Sequence, residues 1–520
     1  MKTAWRRIAA GVALGLTAAV AGTAQAAPLP ASAVAKIDAI TTGAPRYANS
    51  TWGIVVDDAA TGERLFGRNA QQMFVPGSIT KVAQGVAALE AWGPRHRLRT
   101  PVHRIGQVEN GRLRGTLSLV ASGDFSFGLR DRPDGTLAYA DGGGDHNEAN
   151  TLGLATSVSG DPLKALNALA RDVRRSGITR AADVVIDDRL WQPQAWPDGP
   201  ITPMWVNENL IDITLRPTAR GAMARYTWRP RTAAYRVEST VRTGSETAIA
   251  VDGPRPGVVR VSGTIAAGSG STVRSFLVED AAAFGRTAFI EALERAGVRI
   301  DAPATGDNPT ERLPAARAYP AGTRLGQWVS PPLDQYVKVV LHISYNRGAD
   351  VLACLVGVRA ALRNCENGLA RATRIVQRLG VPGLQFFNFD GAGSDDRNRI
   401  TPDALNTLNR LAAAQPWGAL YRADLPLLGV PGGGDLAIFG TSSPARGRLQ
   451  AKTGTRAGAA PGAPATLLGA RGLSGYLTGA SGREYLITVL LANAPIAGVE
   501  DIIGIIEDQV KIVETIYLAT

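Results

Sequence analysis

Apolar residues recur at helical spacing in some segments of this chain and alternate with polar residues in others, which predicts a mixed α/β protein. The clearest helix signal is the alanine-rich, nearly uncharged segment 78–91, which follows a Val-Pro-Gly turn and stops at a Gly-Pro pair. Because its apolar residues are not confined to one stripe, this helix is expected to be buried. Further helices are predicted over residues 162–176, 280–296 and 501–517.

Strands are predicted near both ends of the chain and in its middle. Residues 52–57 and 64–68 flank an Ala-Ala-Thr-Gly turn, and they predict a hairpin that leads into the buried helix. Residues 472–478 and 484–492 predict a second hairpin. Residues 207–275 are rich in alternating and β-branched positions, so an inserted all-β unit is expected there.

The first 26 residues are predicted to be a signal peptide rather than part of the fold. Three basic residues precede an apolar stretch from Ile8 to Gly22, and Ala-Gln-Ala at 24–26 is a suitable cleavage site. That stretch is too short to span a bilayer, and no later segment approaches 18 uninterrupted apolar residues. We therefore expect an exported protein, periplasmic or otherwise extracytoplasmic, without an integral membrane segment in the mature chain.

Length and charge indicate how many domains and which partners to expect. A chain of 520 residues is too long for one compact core, so two or three domains are expected. The net charge of +11 falls to +8 once the three basic residues of the signal peptide are removed. No basic run and no basic–aromatic repeat accompanies this charge, so nucleic acid is not an expected partner. The anionic cell wall suits an exported basic protein better.

Lysine is scarce here, because only seven of the 56 basic residues are lysines. Two of them occupy short motifs: Lys81 ends S-x-x-K, which starts at Ser78, and Lys452 opens K-T-G on a predicted strand over 447–455. Between them lies S-x-N, from Ser344 to Asn346. A desolvated lysine can lose its proton and act as a base, whereas a guanidinium stays charged. The pattern therefore favours a catalytic use of lysine.

Position within the predicted elements supports that reading. Ser78 lies at a helix start, where free N–H groups favour a developing oxyanion. Lys81 follows one turn later on the same face, and apolar neighbours should lower the pKa of its amine enough to accept the serine proton. Gly454 has no side chain, which should let a ligand lie close to the strand.

The ordered set S-x-x-K, S-x-N and K-T-G resembles that of the penicillin-binding proteins and serine β-lactamases. More segments extend the likeness, and together they resemble the D-alanyl-D-alanine carboxypeptidase/endopeptidase family of low-molecular-mass penicillin-binding proteins that has a large insertion between the first two motifs. These segments are Ser122–Asp124, Ala182–Asp188, Val261–Ile265, Ser344–Asp350, Asp390–Gly393 and Gly472–Tyr476.

Two positions depart from the family pattern. Tyr345 stands at the middle of S-x-N, where Asp, Asn or Met is usual. The glycine-rich stretch Pro431–Asp435 lacks the Gly-Thr-Leu that the family often shows nearby. Neither departure removes a reacting group, so we expect them to affect substrate fit.

The resemblance implies an α/β (α+β) fold of the penicillin-binding/serine β-lactamase type, with an antiparallel sheet flanked by helices. One or two mainly β inserted domains would interrupt it. On this view residues 27–100 and 318–520 form a discontinuous catalytic domain, and residues 101–317 form the insertion, whose inner unit is about 207–275.

The implied reaction is acyl transfer on peptidoglycan stem peptides, with β-lactams as acylating inhibitors and no cofactor or metal. The resemblance implies that Ser78 is the nucleophile and Lys81 the base, while Ser344 and Asn346 relay the proton and hold the substrate amide. Lys452 and Thr453 would bind the terminal carboxylate. The backbone N–H groups of Ser78 and Thr455 would bind the oxyanion.

A side-chain subsite is also implied by the resemblance. Trp196 and Asp198 match a family segment that faces the active site, where the aspartate meets the free amine of a diaminopimelate side chain. Arg397 matches a family arginine that meets the carboxylate of the same group. The pair would suit a zwitterionic side-chain end.

Two alternatives remain open at this point. A serine β-lactamase shares the three motifs but is about half as long and carries a deacylating base. A non-catalytic wall-binding or β-lactam-sensing protein could share the fold, although intact Ser78, Lys81 and Lys452 disfavour it. The balance of peptidase activities and the oligomeric state do not follow from the sequence.

Cysteines and histidines add little chemistry. Cys354 and Cys365 would be about 16 Å apart on one continuous helix, so a disulfide between them requires a helix break, for which residues 363–368 are suited. A disulfide and two buried thiols both remain open.

The four histidines lack metal-ligand or triad spacing, and the acidic stretch 141–148 is predicted to be a mobile loop.

Overall fold

The computed structural model describes residues 27–151, 155–459 and 461–520, so the predicted signal peptide lies outside the described residues. Within these ranges no helix is both long and apolar enough to cross a membrane.

One antiparallel sheet of six strands carries the K-T-G motif on one of its strands. The N-terminal hairpin pairs with the C-terminal one, for example Ile54 with Val489, so the two ends of the chain complete a single sheet. Both predicted hairpins are present. In spatial order the strands are Leu449–Ala459, Thr466–Thr478, Glu484–Ala492, Thr51–Asp58 and Arg64–Arg68, and Ala494–Ile496 pairs with Thr466–Thr478.

Helices cover both faces of this sheet because its strands bury side chains on both sides. Ile487 and Val489 face one side and pack with Ile512 and Ile516 of the C-terminal helix. That helix is therefore a core helix, as its spacing predicted. The helices on this side are Ala31–Thr42 and Val499–Ala519; those packed on the other side are Lys81–Trp92, Leu333–His342, Asn346–Arg359, Cys365–Leu379, Pro402–Ala413 and Gly418–Ala423.

A second, mixed sheet of five strands lies in the inserted region. Its strands in order are Arg299–Ile300, Arg180–Asp187, Arg112–Val120, Arg97–Glu109 and Arg324–Pro332, and its helices are Lys164–Arg175 and Ala281–Arg295. The strand Arg97–Glu109 crosses the expected start of the insertion at 101, and the strand Arg324–Pro332 lies beyond its expected end at 317. These two strands pair with each other as neighbours in the sheet.

The inner part of the insertion is β-rich, as the alternation over 207–275 predicted. A three-stranded sheet and a four-stranded sheet occupy it, and two short hairpins lie elsewhere. The three-stranded sheet consists of Leu210–Arg216, Arg225–Arg229 and Thr272–Leu277. The four-stranded sheet consists of Arg236–Ser239, Arg242–Gly244, Ala248–Arg255 and Val258–Ala266. The hairpins pair Gln194–Trp196 with Gly199–Ile201 and Phe386–Phe387 with Arg399–Ile400.

The acidic stretch 141–148, for which a mobile loop is predicted, enters a buried ionic network through its second half. Asp145 binds Arg130 at 2.7 Å, and Arg130 also binds Glu208. His146 binds Glu208 at 3.0 Å. Burial alone lowers the pKa of His146, but Asp212 and Glu208 outweigh it and raise this pKa to about 10. Arg130 lies 15 residues from Asp145, whereas Glu208 lies 62 residues from His146, so the network joins near and distant parts of the chain.

Cys354 and Cys365 are joined by a disulfide, with 4.3 Å between their Cα atoms. The helix that begins at Asn346 ends at Arg359, and the next helix begins at Cys365, so the required helix break is present. The bond thus fastens the helix that carries Asn346 to its neighbour.

We expect reduction of this disulfide to lower the free energy of unfolding by about 3 kcal/mol. The reason is that the intact bond closes a loop of this length and so reduces the conformational entropy of the unfolded chain. Equilibrium urea unfolding with and without a thiol reductant measures the difference. A Cys354→Ala/Cys365→Ala variant should show no response to reductant. An equal response in both proteins would contradict the assignment.

Candidate active site

The Lys81 amine is the meeting point of three segments. Its Nζ lies 2.6 Å from Ser78 Oγ, 2.7 Å from Asn346 Oδ1 and 2.7 Å from the Ala392 carbonyl oxygen. The residue is fully buried. Burial lowers the pKa of Lys81, although the nearby carboxylate of Asp198 opposes the shift. The arrangement places a lysine that can be neutral in contact with the serine hydroxyl.

Ser78 lies in a 3₁₀ turn, Gly77–Thr80, directly before the α-helix Lys81–Trp92. This turn packs against the strand that carries Lys452. A Cβ on Gly454 would lie 2.3 Å from the Pro76 carbonyl oxygen, so the strand can approach only because this residue is glycine. The reason for Gly454 is therefore partly different from the one predicted, because the main chain before Ser78 occupies the space beside it.

The S-x-N motif lies in the turn between two helices. Ser344 has a φ of 59°, a left-handed backbone conformation that is costly for a residue with a side chain, and it is half-buried. Asn346 begins the next helix. The Tyr345 ring is buried and packs edge-on against Phe125 of the insertion, with 5.2 Å between ring centroids. This departure from the family pattern thus contributes to the contact between the two units.

The loop after Asp390 presents the Ala392 carbonyl to Lys81. The buried Asp390 carboxylate accepts N–H bonds from Gly393 at 2.7 Å, Ser394 at 2.9 Å and Asp395 at 2.7 Å. Sequence reasoning noted this segment but assigned no role to its aspartate. The aspartate followed by two glycines was the available signal, since it is typical of a tight loop held by a carboxylate.

Asp198 reaches the site from the insertion. Its Oδ1 accepts a hydrogen bond from Asn346 Nδ2 at 2.8 Å, and its Oδ2 accepts one from Ser394 Oγ at 2.6 Å. The amide of Asn346 is thereby oriented, with its nitrogen toward Asp198 and its oxygen toward Lys81. Trp196 lies in the hairpin just before and packs on the core of the motif helices.

A cavity of about 150 Å³ lies beside these groups, lined by Asp198, Asn346 and Tyr345 among others. Glu148 also lines it, and sequence reasoning missed this residue. Burial raises the pKa of Glu148 to about 7, and the negative charge of Asp435 adds to the rise. The acidic stretch 141–148 held the signal, but only the fold shows that its last residue faces the site.

Arg397 is not joined to Asp198 by any hydrogen bond or ion pair between described residues. Its guanidinium binds Asp395 at 2.6 Å, lies 4.5 Å from the centre of the Phe389 ring, and is 69% exposed. The structure thus brings Trp196 and Asp198 to the site and leaves Arg397 at the surface.

The K-T-G motif forms a cationic site with a carboxylate already in it. Lys452 is fully buried, and Asp435 Oδ2 lies 3.4 Å from its Nζ. Burial lowers the pKa of Lys452 to about 7, against the opposing effect of Asp435. The buried Arg471, which sequence reasoning also missed, donates to Thr455 Oγ1 at 2.8 Å. These groups are suited to binding an anion next to Ser78.

This chain is similar to known proteins in sequence and in fold. The profile of the D-Ala-D-Ala carboxypeptidase 3 (S13) family matches residues 33–509. A D-alanyl-D-alanine carboxypeptidase from Actinomadura sp. (strain R39) is 25% identical over 471 residues, which is 84% of this chain and 77% of the relative. Penicillin-binding protein 4 from Haemophilus influenzae has a TM-score of 0.71, covering 92% of this chain and 99% of its own at 18% identity.

The structural match confirms the predicted α/β penicillin-binding fold, and the profile confirms the predicted family. Since the profile spans most of the chain and includes all three motifs, the chain belongs to the D-Ala-D-Ala carboxypeptidase 3 (S13) family of serine peptidases.

Proposed function

We propose that this protein performs its family's reaction, the cleavage of a D-alanyl-D-alanine bond in peptidoglycan stem peptides, with Ser78 as the nucleophile. The observation that carries the proposal is the buried Lys81 amine within 2.6 Å of Ser78 Oγ. The β-lactamase and the non-catalytic alternatives have no comparable support, because the family match spans residues 33–509 and all three motifs are intact.

Acylation starts when neutral Lys81 takes the proton of Ser78 and the oxygen attacks the substrate carbonyl. The N–H groups of Ser78 and Thr455 receive the developing oxyanion. The turn geometry supports this role, since a Cβ built on Gly77 would lie 3.0 Å from Thr455 N. Water then hydrolyses the acyl-enzyme. A β-lactam also forms an ester with Ser78, but its ring C–N bond breaks within one molecule, so the amine stays attached to the acyl group.

The proton reaches the leaving amine through the S-x-N motif. Asn346 contacts Lys81 directly, and its amide nitrogen is fixed by Asp198. Ser344 would pass the proton onward, while Lys452 and Thr453 hold the terminal carboxylate of the substrate. The predicted signal peptide and the peptidoglycan substrate together support an exported, extracytoplasmic location.

Ser78→Ala should abolish both covalent penicillin labelling and D-alanine release, because among the described residues no other hydroxyl contacts the Lys81 amine. Intact-protein mass spectrometry after incubation with a penicillin, with an assay for free D-alanine, measures both. The variant should retain the wild-type melting temperature. An adduct that persists on another residue would contradict the assignment.

Lys81→Arg should be nearly as inactive as Lys81→Ala, losing about 10³ in kcat/KM, because a guanidinium cannot accept the serine proton. Lys452→Arg should retain at least about tenfold more activity, because that position needs only a positive charge.

The pH profile separates these roles further. Since Lys452 has a pKa of about 7 and must be protonated to bind a carboxylate, wild-type kcat/KM should fall as the pH rises above about 7. Lys452→Arg should lose this decline because arginine stays charged. Equal losses in the two lysine-to-arginine variants would refute the division of roles.

We further propose that the cavity beside Asp198 receives the amine-bearing side chain of the stem peptide. Two carboxylates, Asp198 and Glu148, line it, and such a pair favours an ammonium group. Arg397, whose guanidinium binds Asp395, would meet the carboxylate of the same side chain.

Asp198→Asn should lower kcat/KM for peptides with a free diamino-acid amine by about 1–3 kcal/mol, because the attracting charge is lost. An asparagine oxygen can still accept from Asn346, so acylation by a small penicillin should change little. Acetylating the peptide amine provides the control and should remove the difference between variant and wild type. Equal losses on the peptide and the penicillin would mean that Asp198 acts only by orienting Asn346.

A further inference from the structure

Asp435 occupies the place between the two groups to which the proposed function assigns the substrate carboxylate. One oxygen, Asp435 Oδ2, lies 3.4 Å from Lys452 Nζ and accepts from Thr453 Oγ1 at 3.3 Å. A substrate carboxylate held by the same ammonium and hydroxyl would need this position. The side chain of Asp435 is only 19% exposed, so it lies within the site rather than above it.

The glycine-rich stretch that ends at Asp435 is anchored by the insertion. Asp141 accepts N–H bonds from Gly432 at 2.7 Å and from Gly434 at 2.9 Å. Gly434 also has a φ of +67°, and a Cβ there would lie 2.2 Å from the His342 carbonyl oxygen. The backbone before Asp435 is thus held from both sides, and the carboxylate is directed onto Lys452.

From this geometry we propose that Asp435 is an internal competitor for the carboxylate site, which selects against ligands that depend on a free terminal carboxylate. The inference rests on the proposed function, because it assumes that Lys452 and Thr453 receive that carboxylate. A ligand carboxylate must displace Asp435 or bind beside it, and two carboxylates at one ammonium repel each other.

The charges around Asp435 are consistent with its role as an internal competitor. Lys452 and Arg471 are both buried, and burial lowers the pKa of each, to about 7 and about 10. Arg471 Nε has no hydrogen-bond partner among the described residues. Two buried cations without an anion would be costly, so Asp435 stabilises this pair, and a ligand carboxylate that displaced Asp435 would take over that role.

The test compares acylation by a penicillin with acylation by the same penicillin as its carboxamide. Asp435→Asn and Asp435→Thr should raise the second-order acylation rate with the carboxylate form about tenfold or more, since one like charge at contact distance is removed. With the carboxamide the rates should stay within about twofold of wild type. The rates are measured at about pH 6 and at lower pH, because loss of Asp435 removes a negative charge that opposes the lowering of the Lys452 pKa by burial.

Asp307→Asn is the matched control, because it makes the same charge change at an exposed position of the insertion and should match wild type on both ligands. The threonine variant keeps a hydroxyl at the site and guards against a folding defect peculiar to asparagine, which melting curves would reveal. An unchanged or lower rate with the carboxylate form, or an equal gain on both ligands, would overturn the inference. If wild type and both variants fail to form any adduct on Ser78, the proposed function fails as well.

Discussion

The contact between the Lys81 amine and Ser78 is the constraint on which the site depends, and it holds only because the amine is buried. Removal from water makes the neutral form accessible, yet a buried amine still needs polar partners. Asn346 and the Ala392 carbonyl supply them from positions 265 and 311 residues away in sequence. The packing of the motif helices and the loop that Asp390 holds both follow from this requirement.

Residues of the predicted insertion contact the candidate active site directly. Asp198 orients the amide of Asn346, and Arg347, the next residue, donates to the Glu208 carbonyl oxygen in the insertion. Glu208 belongs in turn to the buried network of Arg130 and His146. The ionic core of the insertion therefore helps to fix the position of a motif residue, and the two units should not be considered separately when variants are interpreted.

The two motif lysines share burial but differ in the charges around them. Lys81 has oxygen acceptors and, within the described part of the chain, no carboxylate in direct contact, which is compatible with a base. Lys452 has Asp435 beside it, which opposes the effect of burial and favours the protonated form. The proposed roles, proton transfer for Lys81 and anion binding for Lys452, fit this difference in direct contacts.

Local sequence by itself determined the motifs, the main hairpins, the buried helix after Ser78 and the family, because each depends on neighbouring residues or on short periodic patterns. It also indicated Trp196 and Asp198 through resemblance. The places of Glu148, Asp435 and Arg471 were decided only by the tertiary structure. These are single charged residues without periodicity, and their partners come from other strands and loops. The acidic stretch 141–148 shows the reason most clearly, since its buried His146 binds Glu208, which lies 62 residues away in sequence.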